Sequence, residues 1–143
     1  MSSSPYTETV ANLTLAGARA ALDAAIAHAT GRGDAVDISV CDRAGHEIVF
    51  ARMDGAPVLS MSIARDKAYT VAAFGPDTRD WWDMIKDEDA LREGIVKTDR
   101  LQIFGGGVAI QVDGVTVGAV GVSGSTSEGD HEIAAAGAAA VSA

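Results

Sequence analysis

The spacing of apolar residues switches between helix-like and strand-like periods along the chain. In "NLTLAGARAALDAAIAHATGRG", Leu15, Leu22 and Ile26 recur at helical spacing and predict a first helix. Thr14 suits its N-cap, Leu13 can staple onto the first turns, and Gly31 is a natural stop. The next segment, "AVDISVCDRAGHEIVFARMDGAP", alternates instead. Val36, Ile38 and Val40 share one face and Asp37, Ser39 and Cys41 the other, and "DRAG" turns the chain into a second strand carrying Ile48 and Phe50. This predicts a β-hairpin.

"VLSMSIARDKAYTVAAF" returns to helical spacing and is ended by Gly75 and Pro76. "DTRDWWDMIKDEDALREG" predicts one or two further helices starting at Asp77 or Thr78. The run "IFGGGVAI" opens a strand, and Asp113 with Gly114 between two β-rich stretches predicts a second hairpin through a type I′ turn. A last helix starts near Thr126, with Glu128 and Asp130 in its first turn, where acids suit the helix dipole. The order helix, hairpin, helix, helix, hairpin, helix contains no βαβ crossover. An α+β domain, an antiparallel sheet covered by helices, is therefore expected over residues 1–143, with residues 1–10 as a loose tail.

Composition narrows the function. With 11 basic against 20 acidic residues the net charge is −9, which disfavours nucleic acid and anionic membranes as partners. The sequence shows no apolar stretch of transmembrane length and no signal-peptide pattern, and a single cysteine fits a cytoplasmic setting. The 16 glycines and many small apolar residues suit close packing and subunit contacts.

Several motifs are incomplete. "GVSGS" fails the nucleophile elbow because Ser125 stands where a glycine is required, and "DHEIAAA" lacks the second histidine of a zincin. No Cys/His spacing points to a structural metal. Ser123, Gly124, Ser125 and Thr126 instead surround a helix N-terminus with small donors, which serves either a polar ligand or simple capping. Gly105, Gly106 and Gly107 permit close backbone approach, as a bulge or a pocket wall. Lys67 rises from an apolar stripe of Ile63, Val71 and Phe74, so its amine either snorkels outward or is held by an acid or ligand. Arg52 and Asp54 leave the second strand nearby, to pair with Lys67 or to meet a carboxylate. His131 adjoins the cap cluster, whereas His28 and His46 are scattered. Trp81 and Trp82 must point in different directions, one toward the core and the other toward an interface or pocket lip.

In order, "ISVCDRAGHEIVFARMDGAP", "SIARDKAYTVAAFG" and "FGGGVAIQVDGVTVGAVGVSGSTSEGDHEIAAAG" resemble the GlcG/HbpS family, which includes the C-terminal domain of PduO-type proteins. The resemblance spans nearly the whole chain and is weakest over residues 77–103. It implies a profilin-like fold, homo-oligomers (a dimer or a larger even-numbered assembly), and haem or a similar planar ligand as the candidate cofactor. Some members of the family are implied to be lyases on hydroxylamino-aromatic acids. Carried onto this chain, the family's pattern marks Arg52, Asp54, Lys67, residues 105–107, Ser123, Gly124 and Asp130. Secreted haem-binding members have an export signal and a Glu-x-x-Glu iron motif, and this sequence shows neither. Two readings follow. One is a binding protein for haem or a planar aromatic ligand, held by Arg52, Asp54, Lys67, Phe74, residues 105–107, Ser123, Gly124 and Thr126. The other is a lyase or isomerase in the same pocket, with Lys67, Asp130 and His131 as the proton-moving and substrate-holding groups.

Overall fold

The computed structural model describes residues 4–142. Residues 4–10 of the expected tail carry only a turn and irregular chain, and residues 1–3 lie outside the described residues. Thr14 caps the first helix, α1 (Leu15–Arg32), its hydroxyl accepting from the Gly17 N–H at 3.1 Å. The helix passes through Gly31 and ends at Gly33, whose φ of 78° is the left-handed turn that a glycine takes without strain. The expected leucine stripe is not its buried face either. Leu15 is exposed, Leu22 and Ile26 are partly covered, and the fully buried positions are Ala18, Ala21, Ala25 and Ala29. The reason is proximity: a Cβ on Gly137 of the last helix would lie 2.8 Å from the Ala21 carbonyl, so only small side chains fit between these helices.

Two hairpins form one sheet. Strands β1 (Asp37–Asp42) and β2 (Glu47–Arg52) make the first, β3 (Gly107–Val112) and β4 (Val115–Ser123) the second. The order is β2-β1-β4-β3, with every neighbouring pair antiparallel. The expected turn is present: Asp113 and Gly114 have φ of 54° and 77°. Alternation along β1 is as the pattern requires. Ile38 and Val40 join Val120, Val122 and Ile133 in one core, while Cys41 meets Ala68, Val71 and Ala119 on the opposite face.

Helices α1 and α5 (Ser127–Ala139) cover the first face, and α2 (Ser60–Phe74) covers the second. Glycine brings α2 onto the sheet, since a Cβ on Gly121 would collide with the Ala64 carbonyl. The segment between α2 and β3 is a short 3-10 turn (Thr78–Asp80), then α3 (Trp81–Ile85) and α4 (Asp89–Ile95). Thr78 ties this segment down, its buried hydroxyl accepting from the Gly107 N–H at 2.8 Å.

Candidate functional site

Lys67 does not snorkel. It lies in the middle of α2 at 0% exposure, and its Nζ donates to the Val122 carbonyl at 2.9 Å and to Asp130 Oδ2 at 3.2 Å. Asp130 sits in the first turn of α5, where its other oxygen accepts from the Ser125 N–H at 2.8 Å. Thr126 caps that helix by accepting from the Gly129 N–H at 3.0 Å. The glycine run makes room for the amine: Gly106 has a φ of 135°, and a Cβ there would come within 2.6 Å of Nζ. Gly107 is pressed between the Lys67 carbonyl and Thr78, and Gly105 against the Ser127 carbonyl. The bend after β4, the triple glycine and Lys67 thus form one cluster.

Burial lowers the affinity of the Lys67 amine for its proton, and the attraction of Asp130 opposes that. Burial likewise pushes the Asp130 carboxyl up, against the pull of Lys67 and the Ser125 N–H. Burial thus works against charge on both groups, and their mutual attraction at 3.2 Å works for it. The Phe104 ring closes the cluster from outside, its centroid 4.7 Å from Nζ.

Outside Phe104 lies an open cleft of about 380 Å³. Trp82, Ile103 and Phe104 give it flat apolar walls, and Gly105 and Ser127 line it with small residues. Arg79, Glu128 and His131 supply its polar groups. His131 lines the cleft at 9% exposure, and its Nδ1 is buried without a partner. Burial, aided by Arg79, lowers the His131 pKa, so the ring is a neutral imidazole at neutral pH.

The family model described as haem degrading protein HbpS-like matches residues 13–139. The chain belongs to the HbpS-like family. Among curated relatives, a 15.0 kDa protein of the dhaT-dhaS intergenic region of Citrobacter freundii is 37% identical over 87% of this HbpS-like chain and 89% of its own length. The corrinoid adenosyltransferase PduO of Salmonella typhimurium is 35% identical over 74% of the chain, but the match spans only 32% of that longer protein. Solved structures agree in fold. Klebsiella pneumoniae ORFY superposes with a TM-score of 0.90 at 31% identity, covering 98% of this chain and 97% of that one. A haem complex of PduOC gives 0.81 at 31% identity, covering 90% and 94%.

Within this HbpS-like chain, Gly105 and His131 line the cleft, and Gly106, Gly107, Lys67 and Asp130 stand behind it. Ser123 is buried at the end of β4, opposite Asp37, and Gly124, at φ 130°, turns the chain toward Thr126. Three other candidates are elsewhere. Arg52 and Asp54 are exposed and line no part of the cleft, and the amine they were expected to meet is held by Asp130. Phe74 is 65% exposed at the end of α2 and packs on Trp81, 4.9 Å between ring centroids. Cys41 is buried against the Ala68 carbonyl, and burial pushes its thiol up to about 12, so it offers no thiolate. Phe104, Arg79 and Ile103 were not singled out from the sequence. Phe104 had one signal, an aromatic ring immediately before three glycines, whereas Arg79 and Ile103 sat in charged and apolar runs with no motif.

Among the described residues, no helix is long and apolar enough to cross a membrane.

Proposed function

We propose that the cleft between α3, the 103–105 strand approach and the first turn of α5 binds haem or a similar planar aromatic ligand. The observation that carries this reading is the neutral His131 imidazole lining the same cleft as the flat Trp82 and Phe104 rings. The residues fit a haem group. His131 would supply a neutral nitrogen to the iron, Trp82 and Phe104 would pack on the macrocycle, and Arg79 would meet a carboxylate side chain. When bound, haem supplies a redox-active iron. The PduOC haem complex supports the reading, because that domain shares this fold at 31% identity. A macrocycle leaves much of its surface outside a cleft of about 380 Å³, so the same reading includes a homo-oligomer in which a second copy covers the exposed side.

Titration of the purified chain with haem tests the proposal. A saturable Soret shift is expected, moved or lost in His131→Ala and weakened in Trp82→Ala. A spectrum identical to free haem would overturn it. Light scattering at rising protein concentration, with and without haem, tests the assembly.

A second reading is favoured by one further observation, the buried, hydrogen-bonded Lys67 and Asp130 pair behind Phe104. If the Phe104 ring swings aside, the pair can move a proton to or from a small aromatic or carboxylated substrate, as a lyase or isomerase needs. Lys67→Met and Asp130→Asn should then each abolish turnover in a folded, active preparation. Retained turnover in both would eliminate this chemistry.

A further inference from the structure

Two acceptors do not satisfy the Lys67 amine. An ammonium carries three N–H donors, and here one goes to the Val122 carbonyl and one to Asp130 Oδ2. Among the described residues no oxygen remains for the third. The contact left to it is the face of the Phe104 ring, with Nζ over that face at 4.7 Å from the centroid. The amine itself is fixed, since Gly106 crowds it and Asp130 is its counter-ion at 3.2 Å.

The ring has little else to hold it. Phe104 is 44% exposed and joins neither apolar core. Its segment, residues 101–106, is neither helix nor strand. That segment is pinned near its two ends, where the Gln102 N–H donates to the Thr70 hydroxyl at 3.0 Å and the Gly106 carbonyl accepts from the Val122 N–H at 2.8 Å. Between these pins the ammonium orients the ring. A cation over one face draws the π electrons toward itself, so the other face and the rim become more positive. Phe104 lines the cleft, and whichever part of it meets a ligand there attracts an electron-rich ring more than an electron-poor one.

We propose that Lys67 is a positioning residue of the cleft, acting through Phe104: its ammonium sets the ring as a wall and biases the cleft toward planar ligands rich in π electrons, such as pyrrole or oxygen-substituted aromatic rings. This deepens the planar-ligand reading and rests on it. No ligand needs to reach the amine.

The full-length protein is compared with the double variant Lys67→Met, Asp130→Asn, which removes both charges and leaves the net charge as it was. Two probes, 6-methoxy-2-naphthoate and 6-nitro-2-naphthoate, share a shape and a carboxylate for Arg79 and differ in ring electron density. In calorimetric titrations the preference for the methoxy probe should fall roughly threefold in the double variant, within the worth of a cation–π contact. A merely structural role for Lys67 would weaken both probes equally. Trp82 acts alike in both proteins, so the change reads Lys67 alone. The same exchange in a Phe104→Leu background should leave the preference unaltered. Phe104→Leu by itself decides the sign even if the double variant does not fold. Removing a polarised ring lowers the methoxy preference, whereas removing an ordinary phenyl ring raises it. With 4-fluorophenylalanine at the three phenylalanines, the ¹⁹F signal missing from Phe104→Leu should move in the double variant with no ligand present. An unchanged preference, an equal change without Phe104, a preference raised in Phe104→Leu or an unmoved fluorine signal overturns the inference and leaves the cleft reading standing. If neither probe binds the parent chain, the cleft reading falls and takes the inference with it.

Discussion

The two faces of the sheet are buried by different means. On the side of α1 and α5, Ile38, Val40, Ile110, Val120, Val122 and Ile133 fill the interior with bulk. On the side of α2, the strands contribute Asp37, Ser39, Cys41, Ala119, Gly121 and Ser123, and the helix answers with Ala64, Lys67, Ala68 and Val71. Burial there comes from closeness, with helix backbone resting on strand backbone. A face packed in this way has little apolar volume to lose, but it lowers the local dielectric around the polar groups it encloses. The comparison teaches where chemistry can be kept in so small a domain: the bulky face supplies stability, and the close-packed face holds a lysine, two carboxyls and a thiol out of water.

The sharpest way to break the contrast is to put bulk where closeness rules. Gly121→Val would drive its Cβ into the Ala64 carbonyl and to 2.6 Å from the Ala68 nitrogen, both backbone atoms that cannot swing away. We expect α2 to be displaced and stability to fall by at least about 3 kcal/mol, or folding to fail. Near-native stability in urea unfolding would show that α2 does not rest on β4 as described.

Next in size is the buried pair. Lys67→Ala leaves the Asp130 carboxyl buried with only the backbone N–H groups of Ser125 and Gly124, and should cost about 3–5 kcal/mol. The double variant Lys67→Met, Asp130→Asn should be more stable than that single variant, because it removes both charges and keeps the volume. Additive losses in the double-mutant cycle would mean that the two groups are not coupled.

This pair also marks how far the sequence could be read. The hairpins, the Thr14 and Thr126 caps and the Asp113, Gly114 turn were legible because each is set by local chemistry: a side-chain acceptor, a period of two, a positive φ. The grouping of Lys67, residues 105–107 and the bend after β4 was legible from motif order. The partner of Lys67 was not, since 63 residues separate it from Asp130 and Arg52 and Asp54 lay closer along the chain. The buried face of α1 was misread for a similar reason. Leucines dominate a periodicity count, whereas the close approach of α5 selects alanines, and only the tertiary structure shows that approach.

The bulky face should respond differently. Ile133→Val removes one methylene from a fully buried position and should cost about 0.5–1.5 kcal/mol. No titratable group is involved, so the loss should be the same at pH 4 and pH 8 in parallel urea titrations. A loss that varied with pH would mean that the two faces are not independent.

The smallest effect is expected at Asp37, and its sign is the informative part. This residue lies on the α2 face at 0% exposure, and neither carboxylate oxygen has a hydrogen-bond partner. Burial raises its pKa, and the attraction of Arg52 and Arg65 only partly offsets that. The folded carboxyl therefore keeps its proton at a pH where the unfolded chain, with an ordinary value of about 3.9, has released it. Folding then takes up a proton, so this group's contribution is most favourable below about pH 4 and declines as pH rises to the folded pKa. An amide in its place is neutral throughout and cannot follow that decline. Relative to the parent chain, Asp37→Asn should gain stability between pH 3 and pH 7. Any fixed cost of the new amide shifts both ends equally, and the titration of Lys67 and Asp130 is common to both proteins and cancels. A difference that stayed flat over this range would mean that Asp37 folds ionised beside a cation, and the close-packed face would then enclose two ion pairs rather than one pair and one neutral acid.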